Sequence, residues 1–374
     1  MRPIRAHAYP LLASLMFTSA ACAVDLQDGA VYVMTNQPTN EIVIFDRLAN
    51  GSLSRVGQVA TGGQGNPFKS GTQTISADPL ASQGALGFGL SGRFLFAVNA
   101  GSNEISAFAI GKTGLSRVDR VPSGGSRPIS LTARGNLLYV LNGGGTPSIS
   151  GFTIASSGQL TRLADSTRSL PSGDISAPAQ VSFTPDGARL VVTERGANLI
   201  VTYRIGADGR PGTRIITPSS GIGPFGFGFS RGRLIVSEAA AGVSGDSSTS
   251  SYAVSDGGLE VISGSIRDFG TAACWLTVTG DGRYAYVSNT GSGQISLYRV
   301  RDNGTLALLD AKASNTSDTS LPIDMSRSSD SQYLYAHLAG TRSVAVFRIQ
   351  TDGKLTGLQT IGGLPKGAQG IAAR

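Results

Sequence analysis

The chain has 374 residues, of which 40% are hydrophobic and 15% charged, and its formal net charge is +7 at pH 7. Its basic residues are scattered singly, which argues against nucleic-acid binding because that function requires a clustered basic surface. The two histidines and two cysteines lack paired ligand spacing, so the sequence predicts neither a metal site nor a disulfide framework.

Residues 1–23 predict an export signal. Two arginines supply positive charge, residues 11–17 form a short apolar stretch, and a small-residue cleavage site ends at Ala23. We predict cleavage after Ala23, with lipid attachment at Cys22 as the alternative. Neither the apolar stretch nor any later segment is long enough to span a bilayer. The expected product is a secreted or periplasmic protein in which residues 24–374 form a single domain.

A turn of the Asn-Gly or Asp-Gly type recurs along the chain, and an apolar strand follows each copy. The segment from Arg283 to Leu306 shows the pattern in full, with two alternating strands before the turn and a third after it. The spacings between successive turn glycines are 63, 44, 51, 48, 47 and 49 residues. Seven copies of this length predict the four-stranded blades of a propeller. The turn glycines are Gly51, Gly114, Gly158, Gly209, Gly257, Gly304 and Gly353.

The two ends of the chain complement each other. The first copy begins at a second strand, without an innermost strand before it, whereas the last copy is followed by a spare strand that starts at Gln369. We predict that the spare strand joins the first blade and closes the ring. The predicted fold is therefore all-β, a seven-bladed β-propeller with four-stranded antiparallel blades. Because a closed ring leaves no edge strand that needs a partner, we expect a monomer.

One insertion interrupts the repeat between Gln64 and Ser82 and accounts for the longest spacing. Its glycine, proline, lysine and serine content predicts a surface loop, and a lid over the channel is the alternative.

Two motifs match known nucleotide-binding or catalytic signatures, but their context in the repeat does not. Gly87 to Gly92 satisfies G-x-G-x-x-G, but a strand follows it where a dinucleotide site requires a helix. Gly228 to Gly232 satisfies G-x-S-x-G, with aspartates and His337 downstream, but it too leads into a strand. We interpret both motifs as hairpin turns and predict no nucleotide cofactor.

In a propeller, the ends of the second strands and the starts of the innermost strands converge on one mouth of the central channel. Carboxylates and arginines around such a mouth could polarise a carbonyl or move a proton, so we predict a small-molecule site there. The alternative for each residue is the capping of a strand end. The residues expected at the mouth are Asn99, Arg127, Asn142, Gln180, Glu194, Arg195, Glu238, Trp275, Asn289, Asp324, His337 and Gln369.

The repeated sequence pattern Tyr-Val-x-Asn…Ile-Ser-x-Tyr/Phe…Asp-Gly-x-Leu, seen from Tyr286 to Leu306, resembles the repeats of the seven-bladed propeller lactonase family. That family includes 6-phosphogluconolactonase-like proteins and fungal muconate-lactonising enzymes, and the resemblance covers residues 30–374. It implies lactone chemistry by histidine, arginine and glutamate at the channel mouth. The family's Pro-His-x-His pattern falls at residues 176–179 and its Gly-Pro-Arg-His pattern at residues 223–226, and neither retains a histidine. Glu238 does match the glutamate of the family.

Two functions remain open at this point. In the first, the protein is an exported lactone hydrolase in which Glu238 acts as general base and Arg127 or Arg195 polarises the carbonyl. In the second, the propeller has lost the chemistry and its mouth binds a small metabolite, glycan or protein. The missing histidines motivate the second hypothesis.

Overall fold

The computed structural model describes residues 29–66 and 77–374. The predicted export signal lies outside these residues. Within them the chain forms seven sheets, each with four strand positions. It also forms three short 3-10 turns, at Gly173–Ile175, Ala240–Gly242 and Thr290–Ser292. No helix in the described ranges is long and apolar enough to cross a membrane.

Each sheet is one antiparallel blade, whose strands run in order from the channel to the outer rim. Blade 1 contains β29 (Ile371–Ala373), β1 (Ala30–Met34), β2 (Glu41–Arg47) and β3 (Leu53–Ala60). Blade 2 contains β4 (Leu86–Gly89), β5 (Phe94–Asn99), β6 (Glu104–Gly111) and β7 (Gly114–Pro122). Blade 3 contains β8 (Ser126–Arg134), β9 (Leu137–Gly144), β10 (Ser148–Ile154) and an outer strand in two pieces, β11 (Leu160–Arg162) and β12 (Arg168–Ser169).

The other four blades follow the same order. Blade 4 contains β13 (Pro178–Phe183), β14 (Arg189–Glu194), β15 (Leu199–Ile205) and β16 (Pro211–Pro218). Blade 5 contains β17 (Pro224–Ser230), β18 (Arg233–Glu238), β19 (Ser248–Ser255) and β20 (Gly258–Arg267). Blade 6 contains β21 (Ala273–Val278), β22 (Tyr284–Asn289), β23 (Gln294–Val300) and β24 (Leu306–Asn315). Blade 7 contains β25 (Pro322–Arg327), β26 (Tyr333–Leu338), β27 (Ser343–Ile349) and β28 (Leu355–Ile361).

The ring closes as the two chain ends predicted. Strand β29 pairs antiparallel with β1, and Ile371 lies opposite Val33. The backbone N–H of Gln369 donates to the carbonyl of Met34 at 3.0 Å, and the N–H of Met34 donates to the carbonyl of Gly370 at 3.0 Å. The prediction of a seven-bladed, four-stranded propeller closed by the C-terminal strand is confirmed.

The repeated tyrosines and turn glycines bind one another between blades. The Tyr139 hydroxyl of blade 3 donates to the carbonyl of Gly209 in blade 4 at 2.6 Å, and Tyr286 of blade 6 does the same to Gly353 in blade 7. Gly209 and Gly353 have φ values of +78° and +85°, which an L side chain adopts only at a cost. The repeat therefore encodes both a hairpin and an inter-blade contact.

The two motifs interpreted as turns are turns. Gly87 to Gly92 spans the β4–β5 hairpin, and Ser230 of the G-x-S-x-G motif ends β17. The Ser230 hydroxyl donates to the carbonyl of Gly282 at 2.6 Å, so it links blades 5 and 6.

Candidate active site at the channel mouth

The asparagines at the ends of the second strands lie inside the blades. Asn99 and Asn289 are fully buried, and each donates its amide at 2.8 Å to a serine of the third strand, Ser106 and Ser296 respectively. Asn142 donates at 3.5 Å to Ser150 in the same way. These three side chains fix the third strand within their own blade.

A glycine of the preceding inter-blade connection packs against each of these amides. A Cβ at Gly63, Gly125 or Gly270 would lie 2.4, 2.6 or 2.2 Å from the amide carbon of the corresponding asparagine. No real Cβ approaches so closely, so the connection requires glycine at these positions. The asparagines therefore hold the blade together and its connection in place.

Glu238 occupies the same position in blade 5. Its carboxylate is fully buried and accepts hydrogen bonds from the hydroxyls of Ser248 and Ser250 at 2.5 Å and from the backbone N–H of Gly221 at 2.8 Å. A Cβ at Gly221 would lie 2.1 Å from its Oε2 atom. The hydrogen bonds of this carboxylate are therefore made to its own blade and connection, as those of the asparagines are.

Glu194 keeps this position in blade 4 but lacks the partners. Leu199 lies opposite it, and Val201 replaces the third-strand serine. Glu194 is fully buried, and neither of its carboxylate oxygens has a hydrogen-bond partner among the described residues.

His337 lies one residue before the expected register position. Leu338 pairs with Pro322, as Glu238 pairs with Pro224, so the strand-end position of blade 7 is apolar. His337 is 1% exposed, and burial lowers its pKa to about 4, so the imidazole is neutral at pH 7. Neither ring nitrogen has a hydrogen-bond partner within the described ranges.

A second group of residues lies at the channel itself, where the innermost strands of blades 3 to 7 begin. Each of these strands starts with a β-bulge that follows a residue of positive φ. A non-glycine residue in this region costs about 1–2 kcal/mol, and such strain is typical of functional sites. The bulges occur at the start of the strand segments that contain Ala179, Phe225, Trp275 and Asp324. The positive-φ residues are Arg127, Ala177, Gly223, Ala272 and Leu321.

An aromatic wall forms part of this mouth. The rings of Phe225 and Trp275 meet edge to face with centroids 4.9 Å apart, and the Arg195 guanidinium lies 5.9 Å from the Phe225 centroid. Ala179, Cys274 and Ile323 complete the same buried cluster. Gln180 lies beside the wall and joins blades 4 and 5, because its amide exchanges two hydrogen bonds with the backbone of Phe227 at 2.7 and 3.1 Å.

Residues 77–82 of the insertion, with Gln83 after them, reach across the channel. Gln83 belongs to the segment before blade 2, yet its amide donates to the carbonyl of Leu276 and accepts from the N–H of Leu276, both at 2.9 Å, in blade 6. The Trp275 indole N–H donates to the carbonyl of Ser82 at 2.9 Å. Gly226 leaves the necessary space, because a Cβ there would lie 2.2 Å from Gln83 Oε1. The prediction of a surface loop is wrong for residues 77–82, in which Leu80 and Ser82 are fully buried.

Charged groups gather where the insertion meets the mouth. Arg127 donates to the carbonyl of Pro79 at 2.8 Å, and Gln369 donates to Asp78 Oδ1 at 2.7 Å. Burial lowers the pKa of Arg127, the charge of Asp78 raises it, and the like charge of Arg195 lowers it further. Arg195 itself is exposed at the rim of the mouth.

Asp324 is a buried acid with a raised pKa. It is 3% exposed, and its Oδ2 atom accepts the backbone N–H of Gly370 at 2.7 Å. Burial raises the pKa of Asp324 to about 8, the Gly370 hydrogen bond opposes that rise, and the charge of Asp78 adds to it. A carboxylic acid that is still protonated at neutral pH is typical of a general acid.

The structure thus divides the predicted site residues into two sets. Arg127, Gln180, Arg195, Trp275, Asp324 and Gln369 lie around the channel mouth, although Gln180, Trp275, Asp324 and Gln369 are themselves buried. Asn99, Asn142, Glu194, Glu238, Asn289 and His337 are buried within or between blades. Sequence reasoning missed Asp78, Ser82 and Gln83, and the signal that could have identified them is the insertion itself. The described residues contain no cluster of three His, Cys, Asp or Glu side chains that could hold a metal ion.

Comparison with known proteins gives one family and many structural neighbours. The family model described as "Lactonase, 7-bladed beta-propeller" matches residues 70–173, 92–250 and 259–367. A search of curated proteins finds no significant match.

Solved propellers of similar shape include three bacterial proteins. A putative 6-phosphogluconolactonase of Bacteroides fragilis has 18% identity and a TM-score of 0.69, covering 92% of this chain and 98% of its own. A Lactobacillus plantarum protein has 19% identity and a TM-score of 0.72, covering 92% and 99%. The Pseudomonas aeruginosa periplasmic gluconolactonase has 18% identity and a TM-score of 0.68, covering 91% and 98%. At these identities the likeness establishes the fold alone.

Proposed function

Because this chain belongs to the seven-bladed β-propeller lactonase family, we propose that it hydrolyses a small lactone at its channel mouth. The observation that supports this most directly is Asp324, a buried acid that accepts the Gly370 N–H at 2.7 Å and whose raised pKa keeps it protonated at neutral pH. Asp324 donates a proton to the ring oxygen as the acyl C–O bond breaks. The substrate carbonyl lies towards Arg127 and Arg195, whose guanidinium groups stabilise the oxyanion that forms when water attacks.

The buried Phe225–Trp275 pair packs beneath the exposed Arg195 guanidinium, which lies 5.9 Å from the Phe225 centroid and can contact a polar ligand at the mouth. Gln180, Gln369 and residues 77–83 fill the channel beneath the mouth. We propose that Asn99, Asn142 and Asn289 support the mouth indirectly, by fixing the blades and connections around it.

The role of Glu238 as base stays a prediction. Its three internal hydrogen bonds favour a structural role, because each would have to break or rearrange if the carboxylate took a proton from water. We further propose that the protein is exported and monomeric. The basic and apolar N-terminal segment supports export, as does the similarity to the Pseudomonas protein, a periplasmic gluconolactonase.

A non-catalytic binding function is the second candidate. It is favoured by Ala177, Ala179 and Gly226, which stand where the family pattern has histidines, and by Phe225, which stands where it has arginine. Purified protein should be assayed against a panel of five- and six-membered sugar and aliphatic lactones, with thermal shift measured on the same compounds. Turnover of any lactone that Asp324→Asn abolishes supports the hydrolase. A ligand-induced rise in Tm without turnover supports binding alone.

A further inference from the structure

The insertion is built into the mouth by contacts with several blades. Between Asp78 and Gln83 it bonds to Gln369 in the ring-closing segment, to Arg127 in blade 3 and to Trp275 and Leu276 in blade 6. A tolerated surface excursion would not be expected to make such contacts. Gly226, opposite Gln83, leaves the cradle that the Gln83 side chain fills.

The ring-closing segment donates hydrogen bonds to two carboxyl groups. The Gln369 amide donates to Asp78 Oδ1 at 2.7 Å, and the next residue, Gly370, donates its backbone N–H to Asp324 Oδ2 at 2.7 Å. Gln369 also accepts the N–H of Leu80 at 2.8 Å, which fixes its amide and therefore the direction in which it donates. Two consecutive residues just before β29 thus contact one carboxyl from the insertion and one from blade 7.

We propose that Asp78, carried into the mouth by the insertion, is the second catalytic carboxyl of this site and acts as base to Asp324 as acid. This inference rests on the proposed lactone hydrolysis. The charge of Asp78 adds to the rise in the Asp324 pKa that burial causes, so the two carboxyls interact. Arg127 and Cys274 interact electrostatically with Asp78, and the charge of Arg195 acts on both of these groups.

The proposed step is balanced in atoms and protons. Water adds to the lactone carbonyl carbon, and its proton passes to the Asp78 carboxylate. The ring C–O bond then breaks, and the ring oxygen takes the proton of Asp324 to become the hydroxyl of the product acid. The proton on Asp78 returns to Asp324 through solvent, and the product carboxyl ionises on release. No oxidant, metal or cofactor takes part in this step.

The test compares wild-type protein, Asp78→Asn and a control, Asp186→Asn. Asparagine at position 78 retains an oxygen that can accept from Gln369 and from the N–H of Ala81, so folding should survive. Asp186 also accepts a side-chain and a backbone hydrogen bond, but it lies in the turn at the opposite end of β13. Two quantities are measured: lactone turnover, and the titration midpoint of the Asp324 carboxyl by infrared difference spectroscopy, with Asp324→Asn to assign its band.

We expect Asp78→Asn to lower kcat by about 10²-fold or more with KM changed only a few-fold, as loss of a general base does. We also expect the Asp324 midpoint to fall by at least about half a pH unit, because a like charge has been removed. Asp186→Asn should change neither quantity.

The outcomes separate the two proposals. If wild-type protein turns over a lactone and Asp78→Asn does so equally well, Asp78 is not the base, although the hydrolase proposal stands. If no lactone is turned over but the midpoint falls in Asp78→Asn, the carboxyl pair exists and the hydrolase proposal fails. An unchanged midpoint in a folded Asp78→Asn protein overturns the pair itself.

Discussion

The buried Asp324 carboxyl predicts a specific dependence of stability on pH. Its pKa is about 8 in the folded protein and 3.8 as the reference for an unfolded chain, so the folded state holds the proton more tightly. The stability contributed by the bound proton is complete below pH 3.8 and is lost as pH rises through 8. Between pH 5 and 7 the unfolded carboxyl is ionised and the folded one is not, so each pH unit costs about 1.4 kcal/mol.

Asp324→Asn should remove this dependence. An asparagine oxygen can still accept the Gly370 N–H, and the side chain no longer titrates. The free energy of unfolding of the variant, measured relative to wild type, should therefore rise by about 2.7 kcal/mol between pH 5 and pH 7. Urea unfolding at pH 5, 6 and 7 provides the measurement. Other titrating groups, including His337, are common to both proteins and cancel in the difference. Parallel pH profiles for the two proteins would refute the assignment of a raised pKa to Asp324.

Three further changes test other parts of the structure. His337→Gln should make the protein less sensitive to acid, because the pKa of His337 is about 4 in the folded protein, and its contribution to stability is therefore present above pH 6.5 and falls by about 3 kcal/mol towards pH 4. Equal losses of unfolding free energy in wild type and variant as the pH is lowered would contradict this. Glu238→Gln should lower the free energy of unfolding by about 3 kcal/mol, because an amide cannot accept all three hydrogen bonds. A variant that is as stable as wild type but has no turnover would instead support Glu238 as the base. Gly226→Ala should displace Gln83 and increase hydrogen exchange across residues 77–83. The control Gly57→Ala, with no atom within 4 Å of its added Cβ, should not. Unchanged exchange in Gly226→Ala would show that residues 77–83 tolerate the clash.

The architecture was predictable because its signals are local and repeated. The Asp-Gly turn, the alternating strands and the incomplete first copy are each visible in the sequence, and the repeat specifies how neighbouring blades meet. The inter-blade hydrogen bond from Tyr286 to Gly353 shows that the same residues that mark the repeat also stabilise the ring.

The site was predicted only in part, and alternation along the strand explains why. The polar residues that end the second strands were expected at the channel, but in blades 2, 3, 5 and 6 their side chains hydrogen-bond to a serine of the third strand, such as Ser250 or Ser296. Those serines were visible in the sequence and could have indicated an internal role. The path of the insertion was not predictable, because Gln83 crosses the channel into a space that Gly226 leaves in another blade.

The most direct test of the proposed function is lactone turnover at pH 7 by wild-type protein, Asp324→Asn and Asp186→Asn, each verified as folded. We predict turnover of at least one small lactone by the wild type, a loss of about 10²-fold or more in kcat for Asp324→Asn, and no change for Asp186→Asn. Equal turnover by all three proteins would contradict the assignment of Asp324 as the acid of this site.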